Sequence, residues 1–367
     1  MPADRVSPGL YPMPPPFLAR TTLNRRAVLK TALGAAAALG LAACGAGNDH
    51  TGPVLAADAT LPTTVPAGTS LSIASTSNGL VYQLSGLQNK FPFTVSSWVN
   101  VNAGPDVINA FRARSLDLGA NAGIPPIQAH YQGDDAKIVS LAQSRTPTYV
   151  FITRPHSDIT SVAQFRGRKL AFSQGQAQGV VLLRALQQAG IAQKEVQLVP
   201  LTSDEFLTAL EAGQVDVAVS GISTAPEYLN KYTSEGARSI STGVVDFLTV
   251  WWAPGPVLAD ADKVAAIREF IQLDAQAKVW QWTHPQEWAQ DYYVKLENFT
   301  QQQGEQVIAQ TGKPWIPEKW DAAIQWEQVT ADLLASTGFV TKFDVSVLFD
   351  RRFEGIAAAA VPATYRT

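Results

Sequence analysis

The chain has 367 residues, 46% of them apolar and 16% charged, with 31 acidic against 28 basic side chains. That acidic balance disfavours a nucleic-acid-binding surface, which gains affinity by neutralising phosphates with Lys and Arg. The single cysteine, Cys44, excludes a disulfide framework and leaves stability to packing.

The amino-terminal segment reads as an address label. A proline-rich lead ends in Asn24-Arg25-Arg26-Ala27-Val28-Leu29-Lys30, close to a twin-arginine export signal, before an apolar run over 31–43. That run is far shorter than the roughly 20 residues a spanning helix needs. It ends in Leu41-Ala42-Ala43-Cys44-Gly45, which resembles the lipobox of bacterial lipoproteins, so Cys44 is the expected lipidation site and membrane anchor. Without residues 1–43 the chain keeps 23 basic against 30 acidic residues, a net charge near −7. Residues 44–70, rich in Thr, Pro, Ala and Gly, read as a flexible tether.

Beyond the tether the chain repeats itself. Ala110 to Ala120 and Ala209 to Val219, 99 residues apart, both read as a helix end, a break at Arg114-Ser115 or Gly213-Gln214, then an alternating Leu-Asp-Leu or Val-Asp-Val strand. Each copy follows a strand, Phe93 to Val101 or Val196 to Pro200, and a helix start at Gly104-Pro105-Asp106 or Thr202-Ser203-Asp204-Glu205. A third unit runs from Ser161 to Gly190: a short helix closed by Gly167, a strand over 168–173, a polar loop and an apolar helix. Strands alternating with helices predict an α/β fold of parallel sheets with helices on both faces.

Strand-loop-helix turns at the carboxyl edge of such sheets are where ligands bind. Three stand out: one holds Ser75, Thr76 and Asn78, one holds Asn121, Gly123 and Ile124, and one holds Ser173, Gln174, Gln176 and Gln178. Each offers small hydroxyl or amide groups and helix-end amides, suited to a small anion without net protein charge. The same residues are also ordinary cap and turn formers.

These residues resemble the sulfonate/nitrate/taurine group of ABC transporter solute-binding proteins, particularly the aliphatic sulfonate-binding branch. The resemblance runs from about Ser72 to Phe353, clearest at Gly104-Pro105, Asn121 to Pro126, Ser161 to Gly190 and Phe339 to Val345. It implies a two-lobed, type II periplasmic-binding-protein-like fold with two parallel or mixed sheets, flanking helices and a hinge of two crossing segments. Tyr149 to Arg154 and Phe247 to Pro256 are the expected crossings. Lobe one then comprises 71–154 and 247–367 with the C-terminal helices, and lobe two 155–246. The implied role is capture of a small sulfonate- or taurine-like anion in the interlobe cleft by a monomer on the extracytoplasmic face of the membrane, in the periplasm or cell envelope. Its partners are an ABC permease and ATPase; no cofactor, metal or catalytic residue is implied.

This chain departs from the branch in three places. Gly123 stands where an acidic residue often precedes Ile-Pro-Pro; Gln174, Gln176 and Gln178 occupy a loop that usually has Ser and His; and Ser223-Thr224-Ala225-Pro226 falls near a usual Trp-Asp-Pro. Ser223 and Thr224 join the candidate site. So do Trp251 and Trp252, placed either to cover an apolar or aromatic tail or to pack in the core.

Other signals carry less. The four histidines show no metal-ligand spacing, and neither a P-loop nor a Gly-x-Ser-x-Gly elbow appears. The aromatic-rich final third, with Trp280, Trp282, Trp288, Tyr292, Tyr293, Trp315, Trp320 and Trp326, suits helix packing on lobe one or a carbohydrate platform. An enzyme of desulfinase or thiamin-precursor type is the alternative, but the desulfinating relatives depend on a cysteine, and here that could only be Cys44. A solute-sensing lipoprotein is the third reading.

Overall fold

A computed structural model describes residues 53–101 and 103–367; the expected export signal and Cys44 lie outside the described residues. Lobe one opens with β1 (Ser70–Ala74), α1 (Leu80–Leu84), β2 (Thr94–Val99), α2 (Gly104–Arg112), β3 (Gly119–Ala122), α3 (Ile124–Tyr131) and β4 (Ala136–Gln143). Lobe two follows as β5 (Tyr149–Thr153), β6 (Lys169–Phe172), α4 (Ala177–Gln188), β7 (Gln197–Pro200), α5 (Phe206–Glu211), β8 (Val217–Gly221), α6 (Ala225–Tyr232) and β9 (Ser239–Ser241). The chain returns to lobe one through β10 (Leu248–Pro254). It continues as α7 (Gly255–Leu258), α8 (Ala261–Thr283), α9 (Pro285–Trp288), a π-helical turn (Ala289–Val294), α10 (Gln301–Thr311) and α11 (Asp321–Ser336).

The strand order shows the repeat in three dimensions. Lobe two is one sheet ordered β7-β6-β8-β5-β9. In lobe one the ladders β1-β2 and β3-β10-β4 join where Ile73 bridges Leu118 in parallel and the Ala74 N–H donates to the Leu118 carbonyl at 2.9 Å. The combined order, β2-β1-β3-β10-β4, matches that of lobe two, with β5 and β10 as the antiparallel strands.

The 99-residue echo has a physical cause. Arg114 and Gly213 both turn the chain at positive φ, 56° and 66°. Three residues later Asp117 and Asp216 reach across to β1 and β6. Asp117 accepts the Ser72 N–H at 2.8 Å, and Asp216 accepts the Lys169 N–H at 2.9 Å. Each carboxylate is then paired with a cation, Lys263 at 2.6 Å or Arg154 at 2.9 Å.

Three expected boundaries move. Tyr149 to Arg154 and Phe247 to Pro256 are not the crossings: β5 pairs with β8 and β9, and β10 with β3 and β4, so the passages between lobes are 144–148 and 242–247. Their β-branched and aromatic residues are consumed by ladders on both sides, and β5 belongs to lobe two although residues up to 154 were expected in lobe one. The tether also ends sooner than residue 70. Leu55 donates its N–H to the Ala259 carbonyl at 2.7 Å, Arg352 holds the Ala56 carbonyl at 3.0 Å, and Leu61 is buried. Scattered apolar residues without a period still find a hydrophobic surface to cover.

Beside the second passage, α4 meets α11 through a buried charge group. Arg184 donates to Thr330 Oγ1 at 2.5 Å and lies 4.0 Å over the Trp326 ring. Glu327, 1% exposed, has its carboxyl pushed up to about 8 by burial and by Asp246, against the pull of Arg184. A carboxyl whose folded pKa exceeds its unfolded one stabilises fully below the unfolded value, and that contribution is lost as pH rises through the folded one. Urea denaturation should therefore show stability falling between pH 5.5 and 9. Glu327→Gln, neutral throughout, should shrink that fall by at least about 1 kcal/mol; an unchanged pH slope would remove Glu327 as its source.

Candidate functional site

The carboxyl-edge turns of both lobes open onto two adjoining chambers that share Ala122, Tyr149 and Thr249 in their walls. The smaller, about 290 Å³, lies between the lobes. Lobe one contributes Gly104, Asn121 and Pro125, and lobe two contributes Gln176, Ala177, Gln178 and Ser203. The lobes meet backbone to backbone at its rim: a Cβ on Gly104 would come within 2.6 Å of Pro125 and 3.2 Å of the Gly175 carbonyl oxygen. Gly175 itself has φ of +79°, and a Cβ there would strike the Gln128 side chain at 2.8 Å.

The lobe-two wall of this chamber is the amino terminus of α4. No side chain caps it. Gln176 instead braces the turn sideways, accepting the Ser203 N–H at 3.0 Å and donating to Ser203 Oγ at 2.9 Å. First-turn amides of a helix have no intrahelical partner and carry the positive end of its dipole. The helix can approach β6 this closely because residue 179 is glycine; a Cβ there would lie 2.1 Å from the Ser173 carbonyl oxygen. Ser173 is buried below this turn, and its hydroxyl makes no hydrogen bond to the described residues.

The larger chamber, about 510 Å³, extends over both interlobe passages to the C-terminal helices. Its polar walls include Thr76, Gln143, Asp246 and Lys278; its apolar walls are Trp282, Trp288, Tyr292, Tyr293 and Ile308. Burial pushes the Asp246 carboxyl up to about 7, with Arg184 pulling it back. Burial, and then the charge of Asp246, push the Tyr149 phenol well above the ordinary range. Lys278 is held by Asp274 at 3.1 Å. Asp274 also accepts from Tyr82 Oη at 2.8 Å and Trp251 Nε1 at 2.7 Å, tying α8 to α1 and β10.

Of the candidate residues, Thr76, Asn121, Gln176 and Gln178 line the chambers. The other candidates line neither chamber. The Ser75 hydroxyl accepts the N–H groups of Ser77 and Gly79, Asn78 makes an exposed turn at φ 50°, and Ile124 is core. Gln174 donates to the Phe339 carbonyl at 3.1 Å. Ser223 and Thr224 are exposed at the β8–α6 turn, where Thr224 bonds the Gly221 carbonyl. Trp251 and Trp252 are both buried: one bonds Asp274, the other donates to Asn121 Oδ1 at 3.0 Å and meets Phe111 edge-on. Their place is the core, because β10 is a central strand covered on both faces. At Gly123 the space for a side chain is filled by Glu327, whose carboxylate oxygens would lie 2.5 Å from a Cβ.

Sequence reasoning missed Tyr149, Thr249, Ser203 and Asp246, and it left the aromatic wall undecided. Thr249 does carry a signal, as an exposed polar position between buried neighbours in β10. Among the described residues no cluster of three His, Cys, Asp or Glu would hold a metal, and no helix is long and apolar enough to cross a membrane.

Residues 99–262 match the family described as NMT1/THI5 like. The putative aliphatic sulfonates-binding protein of Escherichia coli strain K12 is 35% identical over 130 residues, covering 35% of this chain and 41% of that protein, so the aligned stretch spans less than half of the relative. A protein of the same description from Bacillus subtilis strain 168 is 27% identical over 262 residues, 70% of this chain and 76% of that protein. The alkanesulfonate-binding protein SsuA from Xanthomonas axonopodis pv. citri, solved bound to MOPS, superimposes with a TM-score of 0.65 at 21% identity, covering 83% of this chain and 100% of that one. That likeness establishes the architecture. The chain thus carries a stretch similar to the NMT1/THI5-like family over residues 99–262 and has the two-lobed fold of periplasmic binding proteins.

Proposed function

We propose that this chain is the solute-binding component of an ABC importer, taking a small sulfonate-like anion between its lobes and delivering it to a permease and its ATPase. The observation that carries this reading is the uncapped start of α4 at the interlobe chamber, facing Asn121 across it. Helix-end amides bind oxyanions without a cationic side chain, which reconciles an anionic cargo with an acidic protein. Closure of two lobes around a solute is the signal such a protein presents to a membrane partner. The reading without chemistry is favoured over an enzyme because the sole cysteine, Cys44, stands ahead of the folded lobes.

Cys44, at the end of the lipobox-like stretch, is proposed as a diacylated residue that holds the protein to the outer face of the cell membrane. Cys44→Ser should move the protein from the membrane pellet to the soluble fraction on cell fractionation; an unmoved variant would remove the anchor.

Gln178 is half-exposed at the first turn of α4 and lines the chamber. Gln178→Glu places a negative charge where the helix dipole tolerates it, so the fold should persist while the Kd for ethanesulfonate, read by calorimetry, rises at least about tenfold, or ~1.4 kcal/mol. Unchanged affinity would place the anion elsewhere. Because the Asp246 carboxyl gains its proton near pH 7, loss of a like charge should tighten anion binding as pH falls from 8 to 6. Asp246→Asn should be tight and flat across that range, and a retained slope would assign the titration to another group.

A further inference from the structure

We infer that the cargo is an aryl anion, with its charged group in the smaller chamber and its ring system in the larger one. This rests on the anion-binding reading above and names the substrate class for the same cleft. Three observations carry it.

The first is size. A two-carbon sulfonate is accommodated within the smaller chamber of about 290 Å³. The adjoining chamber of about 510 Å³, which shares Ala122, Tyr149 and Thr249 in its walls, would then be left to water. Together the chambers reach the range of sites that take larger organic ligands.

The second is the wall. Trp282 from α8, Trp288 from α9, Tyr292 and Tyr293 from the π-helical turn, and Ile308 from α10 line one chamber. The rings are already ordered against one another: Trp288 stacks on Tyr292 with centroids 4.7 Å apart and planes 6° from parallel, and Tyr292 meets Tyr293 at 75°. The π-helical turn brings two consecutive tyrosines to one cavity. Such turns are costly local geometry that recurs at functional sites. Flat rings gain stacking and edge-to-face contact here beyond the area they bury, which an alkyl chain does not.

The third is charge. The two lysines of the larger chamber are engaged, Lys278 with Asp274 at 3.1 Å and Lys313 with the Thr364 carbonyl and the rings of Trp315 and Tyr365. Asp246 repels an anion from this side whenever it is ionised. The anionic end is therefore directed to the α4 amides and the neutral body to the aromatic wall.

Calorimetry on the purified protein with naphthalene-2-sulfonate, decanesulfonate and ethanesulfonate tests this at matched carbon number for the two large probes. The expected result is naphthalene-2-sulfonate binding at least tenfold tighter than either alkanesulfonate. Trp282→Leu, checked for a wild-type melting temperature without ligand, should cut the aryl-over-ethane preference at least fivefold. Alkanesulfonates binding as tightly as the aryl probe, or an undiminished preference in a folded Trp282→Leu protein, would overturn the inference and leave the importer reading intact. Failure of all three sulfonates to bind would overturn the importer reading and the inference with it.

Discussion

Each lobe depends on a carboxylate that reaches across its sheet to a backbone amide. Asp117 and Asp216 fix the register of β3 against β1 and of β8 against β6 by accepting the N–H of Ser72 and Lys169, and each is paired with a cation. A slip of one residue in a strand exchanges its buried and exposed faces. Pinning that register also decides where the following loops emerge, because β1, β3, β6 and β8 end at the edge that opens onto the cleft. Both partners of each pair are partly shielded, so the carboxylate acts chiefly through hydrogen-bond geometry, and a solvent-facing ion pair alone contributes little.

From that shared frame the lobes diverge in chemistry. Lobe two contributes the amino terminus of α4 and the Gln176–Ser203 brace, a surface of amide dipoles with no cation. Lobe one contributes the end of β3 and an added wall of C-terminal helices, whose aromatic residues form a satellite cluster around Trp288, Ala289 and Ile308. The buried group of Arg184, Glu327 and Asp246 lies where α4, α11 and the second passage come together. Burial raises both carboxyls there and the Arg184 charge pulls both back. At position 123 the space a side chain would take is filled by the Glu327 carboxyl from α11.

What the sequence by itself determined is whatever local chemistry dictates. The helix-turn-strand echo was legible because a positive-φ break and an alternating strand are written in consecutive residues, and the polar glycine-containing loop before α4 was legible for the same reason. That rule singles out Gln176 and Gln178, whose place at the smaller chamber follows from the position of α4. Tertiary structure alone decided which turn residues line the chambers and which hold the frame, since a serine that caps its own turn, such as Ser75, looks the same in sequence as one that faces a cavity. It also decided the fate of Trp251 and Trp252. The register shifts between them, β10 is covered on both faces, and both rings are taken up by Asp274 and Asn121. The aromatic wall and Asp246 come from segments more than a hundred residues beyond Asn121. No local pattern encodes their meeting, because it is set by how α8, α9 and α10 pack on a sheet whose last strand returns from the other lobe.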